Sequence, residues 1–230
     1  MSHLEMLDRI RSKLGEFRPP ENGMTTRRAS VLIPLQIQSD SLKLLLTKRS
    51  GNLRSHSGQV SFPGGKQDSS DRSPLDTALR ESHEEIGLKP EEVTILGCLD
   101  QIISLHFYLV TPYVGLIPDG FLPRINTLEI ESVFMVPLTF FLKGGKHWSE
   151  EMHHRKFPVI SHHFQYQDYD IWGLTAKLIL RLLEVGLDFV PDYAVHHPDA
   201  PTWIESAQQF NGTEASLATQ SHAPSSNRGR

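Results

Sequence analysis

The chain has 230 residues, 38% of them hydrophobic and 22% charged, enough for one sizeable domain with a real core. Its net charge of −4 argues against a general nucleic-acid-binding surface, and no apolar run approaches a membrane span. The single cysteine, Cys98, excludes an internal disulfide and fits a reducing compartment.

The chain opens with "MSHLEMLDRIRSKLGEF", where Leu4, Leu7, Ile10, Leu14 and Phe17 are expected to share one helical face. Glu5, Asp8 and Glu16 argue against a transit peptide, so this reads as a short helix docked on the domain. Pro19 and Pro20 end it, and residues 1–23 are taken as helix and linker. "ASVLIPLQI" and "LKLLLTKR" then read as two strands joined by a turn at Ser39 and Asp40. A polar loop from Gly51 to Ser57 leads to the short strand "QVSF" and a Pro-Gly-Gly bend. Ser73 and Pro74 suit the N-cap and first position of a helix that runs to about Ile86 and stops at Gly87.

Further strands are expected near "VTILGCLDQII", "FYLVTPYVGLI" and "SVFMVPLTFFL", with residues 143–156 as a polar loop. "FPVISHHFQYQDYDIWG" reads as a hairpin and "TAKLILRLLEVG" as a buried helix. Residues 24–200 are expected to form one domain, and 201–230 a tail too poor in apolar residues to fold.

Two features carry chemistry. "RESHEE" places Glu81, Glu84 and Glu85 on neighbouring parts of one helical face, where like charges repel unless a cation sits among them. Hard divalent cations take such carboxylate oxygens, whereas a solvated acidic face is the plain alternative. Arg80 is placed to pair with Glu84 or orient it. Upstream, Phe62, Pro63, Gly64 and Gly65 make a rigid bend without bulky side chains, able to approach a ligand closely. Arg49 and Arg54 suit an anion, since guanidinium binds phosphate oxygens bidentately.

Together these residues resemble the box of the Nudix hydrolases, Gly-x5-Glu-x7-Arg-Glu-U-x-Glu-Glu-x-Gly-U with U apolar. Gly65, Arg80, Glu81, Glu84, Glu85, Gly87 and Leu88 stand in matching order. Asp71 replaces the first glutamate, eight residues instead of seven separate it from Arg80, and Ser82 replaces an apolar residue. The departures put in question the role of Asp71, not that of the glutamates. The resemblance implies an α-β-α sandwich around a mixed β-sheet. It also implies Mg²⁺ or Mn²⁺ held by Glu81 and Glu85 with Glu84 contributing, and hydrolysis of a nucleoside diphosphate linked to another group.

"LLTKRSGNLRSHSGQVSFPGG" is similar to the signature of coenzyme A diphosphatases, Leu-Leu-Thr-x-Arg-Ser/Ala-x3-Arg-x3-Gly-x3-Phe-Pro-Gly-Gly, at every fixed position. That likeness implies coenzyme A and acyl-CoA as small-molecule substrates, with Arg49, Arg54, Gly64 and Gly65 in contact with them. Catalytic roles fall to Glu84, Arg80 and Glu129. Glu129 reads either as a further ligand or water-orienting base, or as an exposed strand-edge charge. Two other readings are another Nudix substrate such as ADP-ribose or NADH, and a nucleotide-sensing binding module. The retained glutamates speak against the module.

The pairs His153/His154, His162/His163 and His196/His197 lack zinc-ligand spacing, and adjacent histidines point apart on regular elements. The sequence Asn211-Gly212-Thr213 matches a glycosylation acceptor, but cysteine usage argues against secretion. The closing "SSNRGR" is not a Ser-Lys-Leu address, so the expected compartment is the cytosol, although the relatives implied by the resemblance are peroxisomal and mitochondrial.

Overall fold

The computed structural model describes residues 1–18, 27–52, 56–143, 145–154 and 157–190, the side chains of 153, 154, 157 and 158 excepted. Arg54, the linker from residue 19, the His153/His154 side chains, His196/His197 and everything from residue 191 lie outside the described residues.

Helix α1 (His3–Glu16) begins in a capping box, with Ser2 accepting from Glu5 N–H and the Glu5 carboxylate accepting from Ser2 N–H. Its buried seam is Met6, Leu7, Ile10 and Leu14. Leu4, expected on that seam, is 55% exposed. At about 100° per residue it falls roughly a quarter turn from the middle of the seam, and Met6 lies inside it.

Strands β1 (Arg27–Gln38) and β2 (Ser41–Arg49) form the expected hairpin. Ser39 and Asp40 both take φ near +50°, as a two-residue turn matched to strand twist requires. The two strands pair only from Leu35↔Leu44 to the turn and then part. Into this fork go β3 (Val60–Ser61), which pairs with β2, and β4 (Gly64–Lys66), which pairs with β1. Phe62 is buried at the junction, and the Pro63 carbonyl accepts from Leu32 N–H at 2.9 Å. The Phe-Pro-Gly-Gly bend is thus a wedge in a split sheet.

Helix α2 (Pro74–Ile86) has the caps expected of it. Ser73 Oγ accepts from Asp76 N–H at 3.1 Å, and Gly87 ends the helix at φ 74°. The chain continues through β5 (Thr94–Cys98), β6 (Ile102–Ile103), β7 (Tyr108–Leu116) and β8 (Ile130–Pro137). β7 runs parallel to β1, while β5 and β6 pair antiparallel with β7, and β8 antiparallel with β2. The sheet is therefore mixed, in the order β3-β2-β1-β7-β5 with the other strands attached to its sides.

The strand expected through Leu142 ends at Pro137. Proline has no N–H for the ladder and its φ of −59° starts the single turn α3 (Leu138–Leu142) instead.

The polar loop expected at 143–156 is instead largely strand β9 (Lys146–His154), paired with β10 (Phe157–Tyr166), which pairs with β11 (Tyr169–Trp172). A backbone ladder at the edge of a small sheet needs no apolar alternation. Most of β9 faces solvent, with Trp148 stacked on His163 at 4.9 Å. Helix α4 (Gly173–Leu187) closes the described chain.

The layers follow from burial. β1 and β2 are apolar on both faces. Leu32 and Leu45 pack with Ala78 and Ile86 of α2 and with Leu88 and Ile117. On the other side α1 lies against β5, where a Cβ on Gly97 would come 2.8 Å from the Leu14 Cβ, and against α4, where Gly186 makes room for Ile10. Helices thus cover both faces of a mixed sheet, the expected α/β architecture.

Candidate active site

The wedge sets the site. Gly64 N–H donates to Glu85 Oε2 at 3.2 Å. A side chain at Gly64 would collide with the Ser30 carbonyl and come 2.6 Å from Val31 Cα, in a backbone at φ 152°. A Cβ at Gly65 would lie 2.5 Å from the Glu81 carboxyl carbon. Both glycines are there because backbone of the wedge lies directly against β1 and the α2 carboxylates.

The three glutamates occupy graded environments. Glu85 is buried, Glu81 has a side chain 16% exposed, and Glu84 is 53% exposed. Burial pushes the Glu85 carboxyl up to about 7, although the Arg49 charge and the Gly64 N–H both favour its ionised form. Burial likewise raises Glu81 against the pull of Arg80. The charge of Glu129 acts on both and raises them further. Glu129 itself is half-buried just before β8, with Asn126 Nδ2 donating to it at 3.3 Å and its carbonyl accepting from Ser50 N–H. The charges of Glu81, Glu85 and Glu129 therefore act on one another, and Glu84 is the most exposed of the α2 carboxylates.

Arginines pair with the α2 carboxylates. Arg49 Nη1 lies 3.2 Å from Glu85 Oε1, and its Nε is buried without a hydrogen-bond partner. Arg80 uses all of its N–H groups. Nε and Nη2 grip Asp71 at 2.9 and 2.8 Å, Nη2 also donates to the Lys66 carbonyl, and Nη1 donates to Glu81 and Glu84 at 3.0 and 3.2 Å. Arg80 thus spans from the box loop to the acidic face and does pair with Glu84.

Asp71 has a place after all. Its side chain is 4% exposed, accepts from Thr77 Oγ1 at 2.9 Å, and is held well below the usual carboxylate range by the Arg80 guanidinium. Ser82, where the box has an apolar residue, is fully buried, and its hydroxyl donates to the Ala78 carbonyl at 2.7 Å. The Arg49–Glu85 and Asp71–Arg80 contacts went unseen in the sequence. The only signal for either was opposite charge on separate elements.

The donor set suits a hard divalent cation: oxygen ligands only, mutually repelling and partly desolvated. Among the described residues no group of three or more His, Cys, Asp or Glu side chains stands at metal-ligating geometry, and Arg49 and Arg80 partner the α2 carboxylates. No described helix is long and apolar enough to cross a membrane.

A model of the NUDIX domain matches residues 26–155. The chain is similar to the "Uncharacterized Nudix hydrolase NudL" of Citrobacter koseri, 40% identical over 79% of this chain and 95% of that protein. It is also similar to two Arabidopsis thaliana proteins. Nudix hydrolase 15, mitochondrial, is 40% identical over 75% of this chain and 63% of its own length. Nudix hydrolase 22, chloroplastic, is 39% identical over 80% and 61%. Nudix hydrolases generally use divalent metals such as Mg²⁺ or Mn²⁺ and act on small nucleoside diphosphate derivatives. A match over more than half the chain, on the stretch that carries both the wedge and the glutamate helix, makes this protein a member of the Nudix hydrolase family.

Proposed function

We propose that the protein hydrolyses the diphosphate bond of coenzyme A and acyl-CoA, releasing 3′,5′-ADP and (acyl-)4′-phosphopantetheine. Of the stretch that resembles the coenzyme A diphosphatase signature, Leu45–Arg49 lie on β2 and Val60–Gly65 in the wedge, on the border of the carboxylates. The observation that carries the reading is Arg49, a signature residue that reaches Glu85 and keeps a buried N–H without a partner. An unpaired buried donor is costly, and a phosphate oxygen would satisfy it.

In this reading Glu81 and Glu85 hold a divalent cation with Glu84 contributing, and Arg49, Arg54, Gly64 and Gly65 face the substrate. The bound cation would neutralise diphosphate oxygens and lower the pKa of a coordinated water. The wedge backbone accepts the diphosphate closely because nothing projects from it. Arg80, with every donor engaged, orients Glu81 and Glu84 and works as a positioning residue. Glu129 takes the proton of the attacking water as a new P–O bond forms and the bridging P–O bond breaks. Its half-buried site beside Asn126 keeps the carboxylate oriented.

The test is turnover of a panel of diphosphates with Mg²⁺ and with Mn²⁺, products identified by mass. Coenzyme A should be cut to 3′,5′-ADP and 4′-phosphopantetheine with the highest kcat/KM of the panel. Preference for ADP-ribose or NADH would replace this substrate while leaving the diphosphate chemistry in place.

A further inference from the structure

A second charged feature lies one residue along β4 from Gly65. Arg27 opens β1, Tyr108 opens β7 and Lys66 closes β4. Pairing sets Arg27 opposite Tyr108 and Lys66 opposite Ala29, so the three side chains share one face of the sheet. The Arg27 guanidinium carbon lies 4.6 Å from the Tyr108 ring centroid and Lys66 Nζ lies 5.6 Å from the same centroid. Arg27 also donates to the Tyr108 hydroxyl at 3.4 Å and to the His106 carbonyl at 3.1 Å.

Arg27 and Lys66 are exposed, and neither has a carboxylate partner among the described residues. Two cations drawn to one ring repel each other, just as the α2 glutamates do, and an anion between them would relieve it. A phosphate monoester suits them best. It carries close to two negative charges at neutral pH, enough for both cations, and offers oxygens for the guanidinium fork.

We infer that Arg27, Lys66 and the Tyr108 ring form a subsite for a second phosphate of the substrate, a monoester separate from the diphosphate that is cut. This rests on the proposed function, in which the substrate bears a 3′-phosphate. The Gly65–Lys66 step places the subsite next to the diphosphate site and on the opposite face of β4. A nucleotide whose monoester lies here therefore has to bend around the end of that short strand.

Arg27→Gln and Lys66→Gln should each lower the preference for coenzyme A over 3′-dephospho-coenzyme A roughly tenfold in kcat/KM, carried by KM instead of kcat. Lys66→Arg should retain the preference. A double Arg27→Gln/Lys66→Gln variant with undiminished preference overturns the subsite. Should the wild type cut neither compound, the substrate reading fails on its own and calorimetry decides the subsite. Adenosine 3′,5′-bisphosphate should then bind the wild type more tightly than 5′-AMP, with the difference lost in the double variant. Equal binding in the wild type, or a difference unchanged in the double variant, overturns it.

Discussion

Replacing Asp71 by alanine tests whether the box loop is tied to the acidic face through Arg80. The variant loses two charge-assisted hydrogen bonds from Arg80, one from Thr77 and one from the Asp68 N–H. Removing one partner of a buried ion pair costs about 3–5 kcal/mol. Arg80 is 28% exposed and keeps Glu81, Glu84 and the Lys66 carbonyl, so the expected loss is smaller, about 2–3 kcal/mol. For a domain of this size that is a fall of roughly 4–12 °C in melting temperature by calorimetry. The pH dependence carries a sign. Asp71 has its folded-state pKa depressed below the ordinary 3.8. Its contribution is therefore fully present above that value and is lost as pH falls through the lower folded pKa. The gap between wild type and variant should be constant from pH 7 to about 5 and close only below about pH 4. A variant melting within about 1 °C of wild type at pH 7, or a gap that closes near neutrality, would refute the tie.

Glu81→Gln and Glu85→Gln should each lower kcat by about 100-fold or more with an unchanged circular dichroism spectrum; near-normal turnover in saturating Mg²⁺ would falsify the ligand assignment. Gly65→Ala should lower kcat with little change in melting temperature, because its Cβ displaces only the Glu81 carboxylate, whereas Gly64→Ala should unfold several degrees early because its Cβ meets β1 backbone. His162 has its pKa lowered to about 4 by burial, with His147 adding to the effect, so the unfolded chain binds the extra proton and stability should fall as pH drops from about 6.5 to 4. His162→Gln should flatten that part of the melting-temperature profile, and an unaltered slope would place its origin elsewhere.

What could be read from the sequence was local. Ser73, Pro74 and Gly87 bracket α2 because caps act within a turn of the residues they serve. Ser39 and Asp40 were readable as a turn between two apolar runs. Strand β9 was not, since its residues are polar and its pairing is made by backbone. Met6 displaced Leu4 because the seam of α1 is set by where α4 and β5 lie, which no helical period specifies. At the site, the glutamates and glycines were visible as a pattern, but their partners were not. Arg49 finds Glu85 across 36 positions and Arg80 finds Asp71 across a loop. Such contacts exist only once the wedge has entered the fork. The two-cation arrangement at Tyr108 draws on three separate strands and left no trace in any one of them.

The fork has a cost during folding as well. β1 and β2 can zip from the Ser39–Asp40 turn to Leu35↔Leu44 as a local hairpin, but beyond that point their inner edges diverge. Until Val60–Lys66 arrives, those edges offer unpaired N–H and carbonyl groups flanked by Leu32, Leu45 and Leu46, an adhesive template for another chain. Phe62 and Pro63 seal that gap from within the same segment that approaches Glu81 and Glu85. Damage to Phe62 or Pro63 would therefore surface first as insoluble protein on expression, and any loss of chemistry would be seen only in the fraction that escaped aggregation.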